Sequence, residues 1–101
     1  MAWTDPVAAT DANISAAPAE LGVYALYQGT LIYIGRAWGT GVTIRSRLQA
    51  HKRGDEGACT KAMTAFSYMV TSNPQQAETN ALNGYKRDNN QNLPRCNERV
   101  G

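Results

Sequence analysis

Two runs of apolar β-formers flank Gln28-Gly29 between Gly22 and Gly35, in GVYALYQGTLIYIG, and this predicts two short strands joined by a tight turn. Gln28 and Gly29 fall at the tip, where Gly accepts the positive φ of a two-residue hairpin loop. Such a loop sets Tyr27 opposite Thr30, Leu26 opposite Leu31, Tyr24 opposite Tyr33 and Gly22 opposite Gly35. Side chains alternate along a strand, so Val23, Ala25, Ile32 and Ile34 share one face, and Leu26, Leu31 and the two tyrosines share the other. A ribbon apolar on both faces needs cover on both sides.

The cover is also visible in the pattern. Ile44, Arg47, Leu48 and His51 recur at helical spacing, which predicts a helix from Thr43 to Arg53 that stops at Gly54. Phe66, Tyr68 and Val70 alternate with Ser67, Met69 and Thr71, a third strand over 66–71. Asn73-Pro74 opens a second long helix, with Asn as cap, Pro at the first helical position and Gln76 placed to close a capping box. That helix runs to about Asp88, with Glu78, Leu82 and Tyr85 on its inward stripe. Residues 55–65 are polar, with a short helix around 60–64. Residues 1–13 predict an irregular arm, with Trp3 pinned on the core. The expected fold is α+β: a small three-stranded antiparallel sheet flanked by helices, with one domain over 14–101.

Composition narrows the class. An apolar fraction of 43% and a charged fraction of 18% suit a globular domain. No apolar run approaches the ~18 residues of a membrane span, and the N-terminus lacks the basic start of a secretory signal. Cys59 and Cys96 have no metal-ligand spacing; they predict buried free thiols and a cytoplasmic setting, with a disulfide as the alternative. Net charge is only +2, but its distribution is uneven. Three acids and no Lys or Arg precede Arg36, whereas ten bases stand against five acids from Arg36 onward. That half suits a polyanion. The Gly-rich connection RAWGTG at 36–41 lacks GxxxxGK[ST] and a third Gly at dinucleotide-fold spacing, which argues against a nucleotide site.

Several residues carry two readings. The tyrosine pair is either cross-strand packing or chemistry. Arg47 shares a stripe that packs on the sheet and cannot shed its proton, so it needs a structural carboxylate or a substrate phosphate. Glu78 answers the helix dipole or holds a metal. Trp38 stacks on a base or plugs its loop onto the core.

Gly22-Val23-Tyr24 followed by Tyr33-Ile34-Gly35 resembles the two-part signature of the GIY-YIG nuclease family. Arg47 and His51 in SRLQAH resemble the family's helical Arg and His, with Arg45 as alternate for the Arg. Glu78 resembles its metal-binding Glu, and Asn97 its closing Asn. The connection from Gly35 to Arg47 is a few residues longer than usual in the family. The resemblance implies an endonuclease that cuts DNA at phosphodiester bonds with one Mg²⁺ or Mn²⁺ on Glu78, leaving 5′-phosphate and 3′-hydroxyl ends. Tyr24, Tyr33, Arg47, His51 and Glu78 would be catalytic. One tyrosine would act as base, needing a nearby cation to lower its pKa. Arg36, Trp38, Arg45, Lys52, Arg53 and Asn97 are the candidates to contact nucleic acid. Target choice would fall to a separate recognition protein or a self-dimer. Two other classes compete: a non-cleaving nucleic-acid-binding module of the same fold, and a structural domain with an Arg47–Glu78 salt bridge.

Overall fold

A computed structural model describes residues 2–97 of the chain. Along it run β1 (Val7–Ala8), α1 (Asp11–Ser15), β2 (Gly22–Gln28), β3 (Thr30–Ala37), α2 (Ile44–Arg53), α3 (Ala58–Lys61), β4 (Ala65–Val70) and α4 (Pro74–Asp88). The sheet has four antiparallel strands in the order β1-β4-β2-β3, not three. The extra strand comes from the supposed arm, where Val7 pairs with Phe66 and Ala8 with Ala65. Two residues are too few to show an alternation, and the arm's α1 is a single capped turn on Thr10.

The hairpin forms, but in a different register. Gly29 alone turns the chain, with φ of +77°. An irregularity between Leu26 and Tyr27 then shifts the ladder, so that Leu26 pairs with Tyr33 and Tyr24 with Gly35. Ile32 is the extra residue on β3, and such a bulge re-aims the side chains beyond it. Ile32 therefore joins Tyr24 and Leu26 in the core beneath α2. Leu31 turns to the other face beside Ala25, Tyr27 and Ile34, under Ala81 and Tyr85 of α4. Tyr24 and Tyr33 still share a face, one step apart along the ribbon.

The long helices start and stop where their caps require. Thr43 and Ser46 close a capping box on α2, and Gly54 ends it at φ of +91°. Asn73 caps α4 by accepting from the Gln76 N–H, while the Gln76 side chain donates to Asn80 instead of returning to the cap. Ile44, Leu48 and His51 are buried under the sheet, with Ile14, Met63 and Phe66 completing the core. Trp3 lies in the shallow groove under α4.

The cysteines are not free thiols. Cys59 and Cys96 form a disulfide across a sequence separation of 37 residues. In the chain-entropy account, a loop of that length contributes about 4 kcal/mol of stability, much for a small domain. Disulfides persist mainly in oxidising compartments, so the thiols lend no support to a cytoplasmic setting. The bridge ties α3 to the segment that seals the β3 edge. There the Cys96 N–H donates to the Ile32 carbonyl at 2.8 Å. Asn97 accepts from the Ile34 N–H and donates to the Ile34 carbonyl, both at 2.9 Å. Among the described residues no helix is long and apolar enough to cross a membrane.

Candidate active site

The two tyrosines of the ribbon close over Gly35. A Cβ at Gly35 would lie 2.6 Å from the Tyr24 hydroxyl oxygen and 2.7 Å from a ring carbon of Tyr33. Its absence lets both phenols close over one point of β3. Gly22 serves similarly at the other end, where a Cβ would meet the Met69 carbonyl and the Ile44 side chain.

The helical spacing of Arg47 and His51 brings both to the phenols. The His51 ring centroid lies 5.5 Å from that of Tyr24 and 5.1 Å from that of Tyr33, and the two tyrosine rings are 6.1 Å apart. His51 Nε2 is 2.9 Å from the Tyr24 hydroxyl, and Nδ1 is 2.7 Å from Thr60 Oγ1 on α3. Arg47 Nε–H donates to the Tyr24 hydroxyl at 3.5 Å. Its guanidinium also pairs with Glu56 at 3.1 Å. On the α4 side, Glu78 pairs with Arg36 at 3.5 Å. Its carboxylate lies near enough to Tyr33 to raise that phenol's pKa, as does Glu56. Burial raises Tyr33 most, the two carboxylates add to it, and Arg47 is the opposing charge. An Arg47–Glu78 bridge does not form: each takes another partner.

Burial separates the roles of the two tyrosines. Tyr24 is 1% exposed, whereas Tyr33 is half-buried and lines an open cleft of about 830 Å³ with Gln28, Glu56, Thr60 and Arg95. Burial raises the pKa of Tyr24 well above the usual phenol value, the neighbouring Tyr33 adds to this, and the hydrogen bond from Arg47 only partly offsets it. Burial likewise raises Tyr33. The cation expected to lower a tyrosine is present, but desolvation outweighs it. His51 is depressed to about 4 by burial and then by the charge of Arg47, so the imidazole is neutral near pH 7. Burial also raises Glu78, with Arg36 opposing.

Tyr24, Tyr33, Arg47 and His51 therefore gather around one patch, while Glu78 pairs with Arg36 on the α4 side and is linked to Tyr33 by its charge alone. The other candidates for nucleic-acid contact lie elsewhere or are engaged. Arg45 Nε–H donates to the Ala17 carbonyl at 2.7 Å, anchoring α2 to the end of α1, so it is no alternate for Arg47. Lys52 and Arg53 face α1, beside Asp11 and Ser15, and Arg53 pairs with Asp55 at 2.8 Å. Asn97 spends both ends of its amide on the β3 backbone. Trp38 is 61% exposed and does not plug the core. Glu56 and Thr60 were not apparent in the sequence, because neither lies on a periodic element; only the fold brings the turn after α2 against His51 and Arg47.

No family model, no curated protein and no solved structure matches the chain.

Proposed function

We propose that this protein is a metal-dependent endonuclease of the GIY-YIG type that hydrolyses phosphodiester bonds in DNA, leaving 5′-phosphate and 3′-hydroxyl ends. Its support is one observation: two phenols, an imidazole and a guanidinium, carried by the ribbon and α2, meet around Tyr33, and the Glu78 carboxylate of α4 adds its charge there. Phosphodiester hydrolysis needs a positioned nucleophile, counter-charge on the phosphoryl oxygens and stabilisation of the leaving alkoxide.

Arg47 supplies the counter-charge once a phosphate takes the place of Glu56. Tyr33, the phenol open to the cleft, orients the attacking water and passes its proton inward to Tyr24. Tyr24 turns its own O–H to His51 Nε2, so it accepts one proton as it releases another. Neither phenol has to be ionised at rest, which suits their raised pKa values.

Glu78 fits a single Mg²⁺ or Mn²⁺. It is a partly desolvated carboxylate whose present counter-charge is Arg36, and Mg²⁺ keeps most of its waters when bound by one or two carboxylates. Among the described residues no group of three or more His, Cys, Asp or Glu side chains offers a fuller cage. Bound at Glu78, the ion would stabilise the leaving oxygen. Strand choice and target would come from a recognition protein or a second copy of the chain.

The test is nicking of supercoiled plasmid with Mg²⁺ or Mn²⁺. Wild type should nick, Glu78→Ala should not, and Arg47→Ala should lose on the order of 10²–10³ in rate. Equal background from wild type and Glu78→Ala would defeat the proposal. Salt-sensitive DNA retention by both, without cutting, would mark a binding module instead.

A further inference from the structure

We propose that Thr60 is a positioning residue that fixes the tautomer of His51, and that the Cys59–Cys96 bridge holds Thr60 in place, so that the site is competent only with the bridge closed.

The tautomer follows from the hydrogen bonds. Arg47 Nε–H is a permanent donor and takes one acceptor position of the Tyr24 oxygen, leaving the second lone pair for Tyr33. The Tyr24 O–H is then free to point at His51 Nε2, 2.9 Å away. In this assignment Nε2 accepts, the single proton of the neutral imidazole sits on Nδ1, and it is donated to Thr60 Oγ1 at 2.7 Å. His51 is 1% exposed and Thr60 3%, so in the folded chain Thr60 and not solvent is the partner of Nδ1. Without the Thr60 hydroxyl, Nδ1–H would be a buried donor with nothing to meet. The proton would then favour Nε2, the nitrogen that has to be empty to take the proton of Tyr24. The other ionisable groups around the imidazole are Tyr33 from β3, Arg47 from its own helix and Glu56 from the turn after α2.

Thr60 is not held by its own helix. α3 is four residues long, and its N-cap, Gly57, makes no side-chain capping bond. A helix of that length is not stable by itself. The residue before Thr60 is Cys59, and its bridge to Cys96 fastens α3 to the segment clamped along β3, the strand that carries Tyr33 and Gly35. The two cysteines therefore span the two halves of the site. A dithiol opens the bridge by transferring two electrons and two protons: the S–S bond becomes two thiols, and the dithiol closes to its own disulfide. α3 then loses its tie to β3, and Thr60 its fixed place against Nδ1.

The rates in the test depend on the nuclease reading, but the tautomer does not. Nitrogen-15 NMR of the uniformly labelled, oxidised full chain should show His51 with Nδ1 protonated and Nε2 bare near neutral pH. Thr60→Val should move the His51 ring signals toward the other tautomer, and Thr60→Ser should keep the wild-type pattern. Wild type reduced with dithiothreitol, and a Cys59→Ser/Cys96→Ser variant, should shift the same signals as Thr60→Val. In plasmid nicking, Thr60→Val should lower kcat on the order of 10-fold or more with KM little changed, and Thr60→Ser should restore it. If Thr60→Val does not fold, Thr60→Ala and the reduced wild type carry the test. A wild-type His51 spectrum in folded Thr60→Val or Thr60→Ala overturns the positioning role. An unchanged spectrum on reduction overturns the role of the bridge. A wild type that never cuts, with the tautomer as described, would sink the nuclease reading and leave Thr60 as assigned.

Discussion

Acidification should destabilise this fold through His51. The buried imidazole, with Arg47 beside it, is held to about 4, against 6.5 for the free side chain. Its folded pKa is depressed, so between those values the unfolded chain binds a proton that the folded chain refuses. The contribution of neutral His51 is complete above the unfolded value and is lost as pH falls toward the folded one. Within the window the slope approaches ~1.4 kcal/mol per pH unit, and the integrated loss is about 3 kcal/mol. A domain of this size has on the order of 5–15 kcal/mol in total, so the effect is large. Glu78 works in the opposite direction. Its folded carboxyl is raised by burial, so it holds a proton that the unfolded chain has released, and it adds stability as pH falls through its raised value. The measurement is therefore differential: urea unfolding followed by far-UV circular dichroism, at steps from about pH 7 to about pH 4, for wild type and His51→Gln. His51→Gln should be less stable near neutrality, and the gap should narrow by about 3 kcal/mol on acidification. Parallel curves would refute the claim that His51 folds neutral.

The packing and charges of the patch set further outcomes. Gly35→Ala places a methyl against the Tyr24 oxygen and the Tyr33 ring, and should cost about 1–3 kcal/mol by thermal unfolding, with activity lost as the rings part. Gly29→Asn meets no neighbour at the open hairpin tip, so its cost is only the strain of a side chain at φ of +77°, and it should destabilise less than Gly29→Val by thermal unfolding. Glu56→Gln frees Arg47 from its ion pair. Because that pair is part-exposed, the stability change should stay under about 1 kcal/mol. DNA binding should tighten at low salt, with a steeper salt dependence; unchanged affinity would mean that Glu56 does not compete with phosphate for Arg47.

Residue patterns alone determined the ribbon, α2, β4 and α4, because each announces itself locally. The apolar β-forming run from Val23 to Tyr27, the stripe from Ile44 to His51 with its stop at Gly54, and Asn73-Pro74 are all contained in a few neighbouring residues. The helical spacing of Arg47 and His51 put them on one stripe, and strand alternation put Tyr24 and Tyr33 on one face. What only the tertiary structure decided involves partners far apart in the chain. The bulge at Ile32 is fixed by which apolar side chains the core under α2 accepts, so the cross-strand partner of Tyr24 is Gly35 and not Tyr33. The pairing of β1 with β4, the union of Cys59 with Cys96, and the contact of Thr60 with His51 each join segments with no shared period. Desolvation is also a property of the assembled core: it holds His51 neutral and keeps both phenols protonated, and no reading of single residues contains it.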